Sequence, residues 1–112
     1  MRIAIPVANN TICMHFGHCE QFYLFDVDVE QKTVSEAIKL TPPPHEPGAF
    51  PRWLNEQKVN LIIAGGMGQG ARNIFAQNGI EVYVGAPTEE PKKLIEKYIE
   101  GKLTFGVNAC DH

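Results

Sequence analysis

Apolar and polar positions alternate over Arg2–Val7, with Ile3, Ile5 and Val7 on one side, and a period of two predicts a strand buried on that side. Asn9-Asn10-Thr11 then reads as a turn, and Ile12–Glu20 as a loop. Gln21–Val29 is rich in aromatic and β-branched residues and predicts a second strand. After a tight turn at Gln31-Lys32, Thr33–Leu40 predicts a third, closing a hairpin. Thr41–Gly48 holds Pro42, Pro43, Pro44 and Pro47, which fix φ and remove backbone donors, so it is a stiff extended loop.

The second half changes period. Pro51 suits the first turn of a short helix carrying Phe50, Trp53 and Leu54 and ending near Lys58. Val59–Ala64 is a continuous apolar run, the pattern of a strand covered on both faces, and Ile80–Val84 repeats it. Between them the glycine-rich stretch Gly65–Gly70 leads into a helix over Ala71–Gln77, with Asn78-Gly79 as its stop. Thr88 is placed to cap a last helix, with Pro91 in its first turn, an apolar stripe of Leu94, Ile95, Tyr98 and Ile99, and an end at Gly101. The order β-β-β-α-β-α-β-α predicts one α/β domain over 1–112. Its expected core is a five-stranded mixed sheet with helices on its faces, three layers in all.

Composition narrows the function. A net charge of −3 offers no broad basic field, which argues against nucleic acid as a partner. No apolar run approaches the roughly 20 residues a bilayer crossing needs, so no membrane partner is expected. The first residues read as strand and not as an export signal, and the expected location is the cytoplasm. In a reducing compartment three cysteines favour thiol or metal chemistry over a disulfide framework.

The candidate chemistry is concentrated. The soft ligands are Cys13, His15, His18, Cys19, His45, Cys110 and His112, and six of these seven fall within windows covering ten of 112 residues. Thiolate and imidazole suit zinc, copper, iron and metal–sulfur clusters. Cys13-Met14-His15 and Cys110-Asp111-His112 share the Cys-x-His spacing, which in extended backbone aims both groups the same way. Gly17 lets the first loop bend sharply and lets a bulky ligand approach. Each residue also has an ordinary explanation: a buried cysteine packs as a small hydrophobe, a terminal histidine is solvated, and His45 decorates a loop. The His15–Cys19 group resists that explanation most, because so many polarisable groups in one loop rarely serve packing. No Cys-x-x-Cys pair is present and the chain has enough core to fold without a metal, so a metal here would be cargo or a functional centre and need not be a structural staple.

Gly66, Met67 and Gly68, with Gln69 and Gly70, sit between a buried strand and a helix start, where unpaired N–H groups favour an anion. The stretch has neither a Walker lysine nor the dinucleotide spacing, so a thiometallate or sulfide cluster suits it better than a nucleotide. The competing reading is a plain tight turn.

His15-Phe16-Gly17, Ile62-Ile63-Ala64-Gly65-Gly66-Met67-Gly68 and Gly79-Ile80-Glu81-Val82-Tyr83-Val84-Gly85-Ala86, in that order, resemble the dinitrogenase iron–molybdenum cofactor biosynthesis family. The resemblance implies a ribonuclease H-like fold. It also implies binding of iron–molybdenum cofactor, its precursors or other iron–sulfur and metal–sulfur clusters by a non-enzymatic carrier or accessory factor, with His15 matching the family's loop histidine. Cluster-donor or cluster-acceptor proteins are the partners expected of such a carrier, itself a monomer or weak homodimer. His18, Cys19, the segment around His45 and the Cys110-Asp111-His112 ending look like those of small stand-alone members, some of which occur outside nitrogen fixation.

Three other readings stay open at this point. A nuclease-like enzyme needs converging carboxylates, and only Asp26 and Asp28 lie on a predicted strand. A redox sensor would use Cys13 and Cys19 with thiol pKa values lowered by neighbouring histidines. An interaction module would use Phe50 and Trp53 as exposed anchors.

Overall fold

The computed structural model describes residues 1–14, 19–43 and 49–106. Strand β1 (Arg2–Ala8) turns at Asn9 and Asn10, with φ of 55° and 65°, into β2 (Thr11–Ile12), which pairs back on it. Asparagine tolerates this left-handed backbone, and two such residues in succession match the twist of a two-residue hairpin. The predicted loop therefore begins later than its polarity indicates, after a short strand made of Thr11 and Ile12. Strand β3 (Gln21–Asp28) lies antiparallel to β1 from Arg2↔Asp26 to Val7↔Gln21.

The expected third strand is broken. β4 (Thr33–Val34) and β5 (Ile38–Leu40) both pair with β3, separated by Ser35-Glu36-Ala37. The Ser35 hydroxyl accepts the Asp26 N–H at 2.9 Å, so a side chain replaces the ladder at the interruption. Helix α1 (Ala49–Glu56) precedes β6 (Leu61–Ile63), helix α2 (Gln69–Gln77) precedes β7 (Glu81–Tyr83), and α3 (Pro91–Glu100) follows. The sheet runs β4-β3-β1-β6-β7, with β2 and β5 as short additions, so among the described residues seven strands take the place of the five expected. β1, β6 and β7 are parallel and β1–β3 is antiparallel. The result is a mixed α/β fold with a mixed sheet and three helices.

Strand alternation builds two apolar layers. Ile3, Ile5, Val7, Tyr23, Phe25, Leu61 and Ile63 meet Leu94 and Ile95 of α3 on one face. Ala4, Phe22, Leu24 and Ile62 meet Phe50 and Leu54 of α1 and Phe75 of α2 on the other. Phe22 is edge-on to Phe50, with ring centroids 5.7 Å apart, and to Trp53, at 5.6 Å. Phe50 is buried and Trp53 half-buried, so the two aromatics proposed as exposed anchors belong to the core. Pairs of this kind add roughly 0.5–1.5 kcal/mol beyond the area they bury.

β7 departs from the buried-strand expectation: Glu81 and Tyr83 are exposed and Val82 half-buried, because this apolar strand ends the sheet. Thr88 does not cap α3. The cap position is Glu90, without a side-chain hydrogen bond, and the Thr88 hydroxyl donates instead to the Met14 thioether at 3.3 Å. No helix among the described residues is long and apolar enough to cross a membrane.

Candidate functional site

The carboxyl ends of β1 and β6 set the site. Cys13 N–H donates to the Pro6 carbonyl at 2.8 Å and Glu20 N–H to the Val7 carbonyl at 2.9 Å. Successive carbonyls of a strand point to opposite edges, so Cys13 is held on the β2 side of β1 and Glu20 on its β3 side, both at the strand's carboxyl end. Cys13 is buried and Cys19 half-buried, and Cys19 packs against the same apolar cluster as Met67 and Ala64.

The glycine turn meets the Cys13-Met14 segment. A Cβ placed on Gly65 would lie 2.7 Å from Met14 Sδ and 3.1 Å from Met14 Cα, so the absence of a side chain at Gly65 lets the Cys13-Met14 segment lie this close to the end of β6. The loop after β7 completes the frame. Gly85 N–H donates to the Gly65 carbonyl at 3.1 Å, Ile12 N–H to the Glu89 carbonyl at 3.1 Å, and Gly106 N–H to the Gly85 carbonyl at 2.6 Å. Lys97 Nζ donates to both Glu89 carboxylate oxygens, at 2.6 and 2.8 Å, tying the loop that holds Ile12 to α3. Four parts of the chain distant in sequence thus converge at one end of the sheet: 12–14 with 19–20, 64–70, 85–89 and 105–106.

Of the residues singled out from sequence, the structure brings together Cys13, Cys19, Gly66, Met67 and Gly68. Gly66 and Met67 are buried, and exposed Gly68 starts α2 in extended backbone with no side-chain cap. His15, Gly17, His18, His45, Cys110 and His112 lie outside the described residues. Among the described residues no group of three or more His, Cys, Asp or Glu is arranged to hold a metal ion. None of the buried ones is polar or charged apart from the thiols. Sequence reasoning missed Met14, Thr88 and Glu89, because a thioether and a backbone carbonyl become functional neighbours only through tertiary pairing.

Burial pushes the Cys19 thiol up to about 12, with the neighbouring Cys13 thiol adding to the shift. This is the reverse of the lowered pKa that a reactive sensor cysteine needs. The nuclease reading fares no better, because Asp26 sits at the other end of the sheet in a bidentate pair with Arg2, at 2.8 and 3.1 Å. The Arg2 guanidinium holds that carboxyl below its usual range, and Asp28 accepts the Glu30 and Gln31 N–H groups in a turn.

Gly65→Ala is expected to destabilise the protein by roughly 1–3 kcal/mol, since Met14 backbone as well as its sulfur must give way. Adding Met14→Ala should recover part of that loss in urea unfolding, by removing the sulfur and terminal methyl but not Cα. A double variant no better than Gly65→Ala would place the strain elsewhere.

Comparison with known proteins agrees with this architecture. An uncharacterized protein of Methanocaldococcus jannaschii is 35% identical over 106 residues, covering 92% of this chain and 89% of that one. The crystal structure of PH0822 superposes with a TM-score of 0.88 at 25% identity, over 100% of both chains. The apo form of the orange protein from Desulfovibrio gigas shares the fold, with a TM-score of 0.69 at 17% identity over 96% of this chain and 93% of that one. Residues 1–101 match the family described as dinitrogenase iron-molybdenum cofactor, and this chain belongs to that family.

Proposed function

We propose that this protein binds and carries a metal–sulfur cofactor or its precursor, of the iron–molybdenum or iron–sulfur type, as a non-enzymatic accessory in cluster assembly or transfer. The observation that carries the reading is the meeting of the Cys13-Met14 segment and Cys19 with the Ala64–Met67 turn, in a chain whose family is named for such a cofactor. The cargo would take sulfur and imidazole ligands from Cys13, His15, His18 and Cys19, and N–H donors to its sulfides from Gly66, Met67 and Gly68. His45, Cys110 and His112 complete the proposed ligand set. In its support, Gly106, the last residue described, is hydrogen-bonded to Gly85 beside the glycine turn, so the final segment starts at this end of the sheet. The parallel β1-β6-β7 run beside antiparallel β3 supports a ribonuclease H-like assignment of the fold. We place the protein in the cytoplasm, with cluster-donor and cluster-acceptor proteins as its partners.

Protein purified anaerobically should carry stoichiometric metal and a sulfur-to-metal charge-transfer absorption. Replacing His15, His18 and Cys19 together by alanine should abolish both while leaving the far-UV circular dichroism intact. Stoichiometric metal surviving that replacement would remove the proposed site.

A further inference from the structure

An unpartnered feature of the described surface runs along the outer edge of β7, next to the helix that follows the glycine turn. Glu81 N–H donates to the Asn60 carbonyl at 3.1 Å and Ala64 N–H to the Tyr83 carbonyl at 2.9 Å, so residues 81 and 83 face β6. By strand alternation the N–H and C=O of Val82 and Val84 point away from the sheet. A groove of about 680 Å³ runs along this edge against α2, lined by Gln69, Arg72, Asn73, Ala76, Glu81 and Tyr83 among others. A second hollow of about 320 Å³ continues it past Arg72 to Phe105.

The two sides of this edge differ in chemistry. On the α3 side, Tyr83 and Phe105 are 37% and 41% exposed and stack edge-to-face at 5.3 Å. On the α2 side, half-buried Arg72 walls both hollows and makes no ion pair with any described residue. Glu81 does not neutralise it, because Val82 packs into the α1/α2 cluster and its neighbour therefore projects to the α3 side, beside Tyr98. The opposite sheet edge is split into β4 and β5, carries Lys39 and runs into Pro42-Pro43, which blunts it against pairing. β7 has no lysine and no proline.

We propose that this edge docks an extended segment of a partner protein as an added strand, and that the segment alternates acidic with apolar residues. The outward-facing Val82 and Val84 backbone groups supply the ladder. Acidic side chains meet Arg72 on one face, and apolar ones meet Tyr83 and Phe105 on the other. A second copy of this chain fits less well, since two-fold pairing of β7 with itself puts both Arg72 side chains on one face. Gln69, at the end of the groove, directly follows the Gly66–Gly68 turn, so the docked partner would stand next to the proposed cargo. That consequence rests on the carrier reading, whereas the docking itself does not.

The metal-free protein, labelled with ¹⁵N, can be titrated with the capped peptide acetyl-Thr-Val-Glu-Phe-Glu-Val-Thr-amide. The Val82 and Val84 amides should shift and gain protection from exchange, together with shifts over Gln69–Asn73. Exchanging both peptide glutamates for lysine, or Arg72→Glu in the protein, should weaken binding about tenfold or more, as expected for a partly desolvated charge pair. Val82→Pro removes the outward N–H and should abolish the shifts; if that variant does not fold, Arg72→Glu carries the test. Shifts located elsewhere, affinity indifferent to both charge reversals, or the same amides protected without peptide in a dimer would each overturn the proposal. Because no metal is present, failure here leaves the metal analysis above untouched, and failure there leaves this titration untouched.

Discussion

Gly85→Ala is expected to destabilise the protein by roughly 2–4 kcal/mol, combining left-handed backbone strain with overpacking. Gly85 has a φ of 83°, and a Cβ there would run into the Gly106 carbonyl. Backbone cannot swing aside as the end of a side chain can, so residues 105–106 must move and the 2.6 Å bond from Gly106 N–H to the Gly85 carbonyl must lengthen. Gly79 is the matched control, with a φ of 75° and nothing within 4 Å of its Cβ. Gly79→Ala should cost only the conformational part, roughly 1–2 kcal/mol. Urea unfolding of both variants separates the two contributions. Equal losses would mean that the tail is not held at Gly85. A larger loss at Gly85, accompanied by weakened metal retention, would connect the chain leading to Cys110 and His112 with the site.

The strands themselves were legible, but alternation understated the burial of β1: Ile3, Ile5 and Val7 form one buried face as expected, and Ala4 and Pro6 are buried as well, because helices cover both sides of the sheet. The apolar run at Leu61–Ile63 is covered on both sides, as its pattern predicts. The pattern failed where position in the sheet decides exposure. Ile80–Val84 reads as a second covered strand through Ile80, Val82 and Val84, yet β7 is an edge, and its Glu81 and Tyr83 are exposed there. The same limit hid the break between β4 and β5, where the Ser35 hydroxyl substitutes for the ladder.

The site was legible as composition but not as arrangement. The cysteines and glycines stand out in the sequence because their chemistry is specific to few roles. What brings Cys13 to the glycine turn does not stand out: the Asn9-Asn10 hairpin that folds β2 back on β1, and the absence of a side chain at Gly65. Thr88 illustrates the cause. Its sequence position suits a helix cap, but its hydroxyl is taken by Met14, a partner that only tertiary pairing supplies. Glu89 is similar, with its carbonyl on Ile12 and its carboxylate on Lys97.

Metal binding by this protein is expected to strengthen steeply with pH, by about tenfold per unit for each thiol that becomes a ligand. The Cys19 thiol lies up near 12 in the metal-free fold, so at neutral pH it enters a metal–thiolate bond only by releasing a proton. Affinity measured against a chromophoric chelator at pH 6.5, 7.5 and 8.5, corrected for the chelator's own protonation, should rise accordingly, and Cys19→Ala should flatten the rise by one proton. An affinity indifferent to pH would exclude thiolate ligation. Without metal the same thiol should shape stability in the opposite direction. An unfolded cysteine loses its proton near pH 8.5, whereas the folded one keeps it up to about 12. Below that window both states are protonated and the thiol contributes no slope. Within it the folded state binds the extra proton, so stability falls as pH rises. Tyr98, also raised by burial, adds a slope of the same sign in that range, so the quantity to compare is the difference between the parent protein and Cys19→Ala. That difference should be constant from pH 6 to 8 and shrink as pH rises through 9 to 11. If it stayed constant throughout, Cys19 would be solvated and not packed against the cluster that holds Met67.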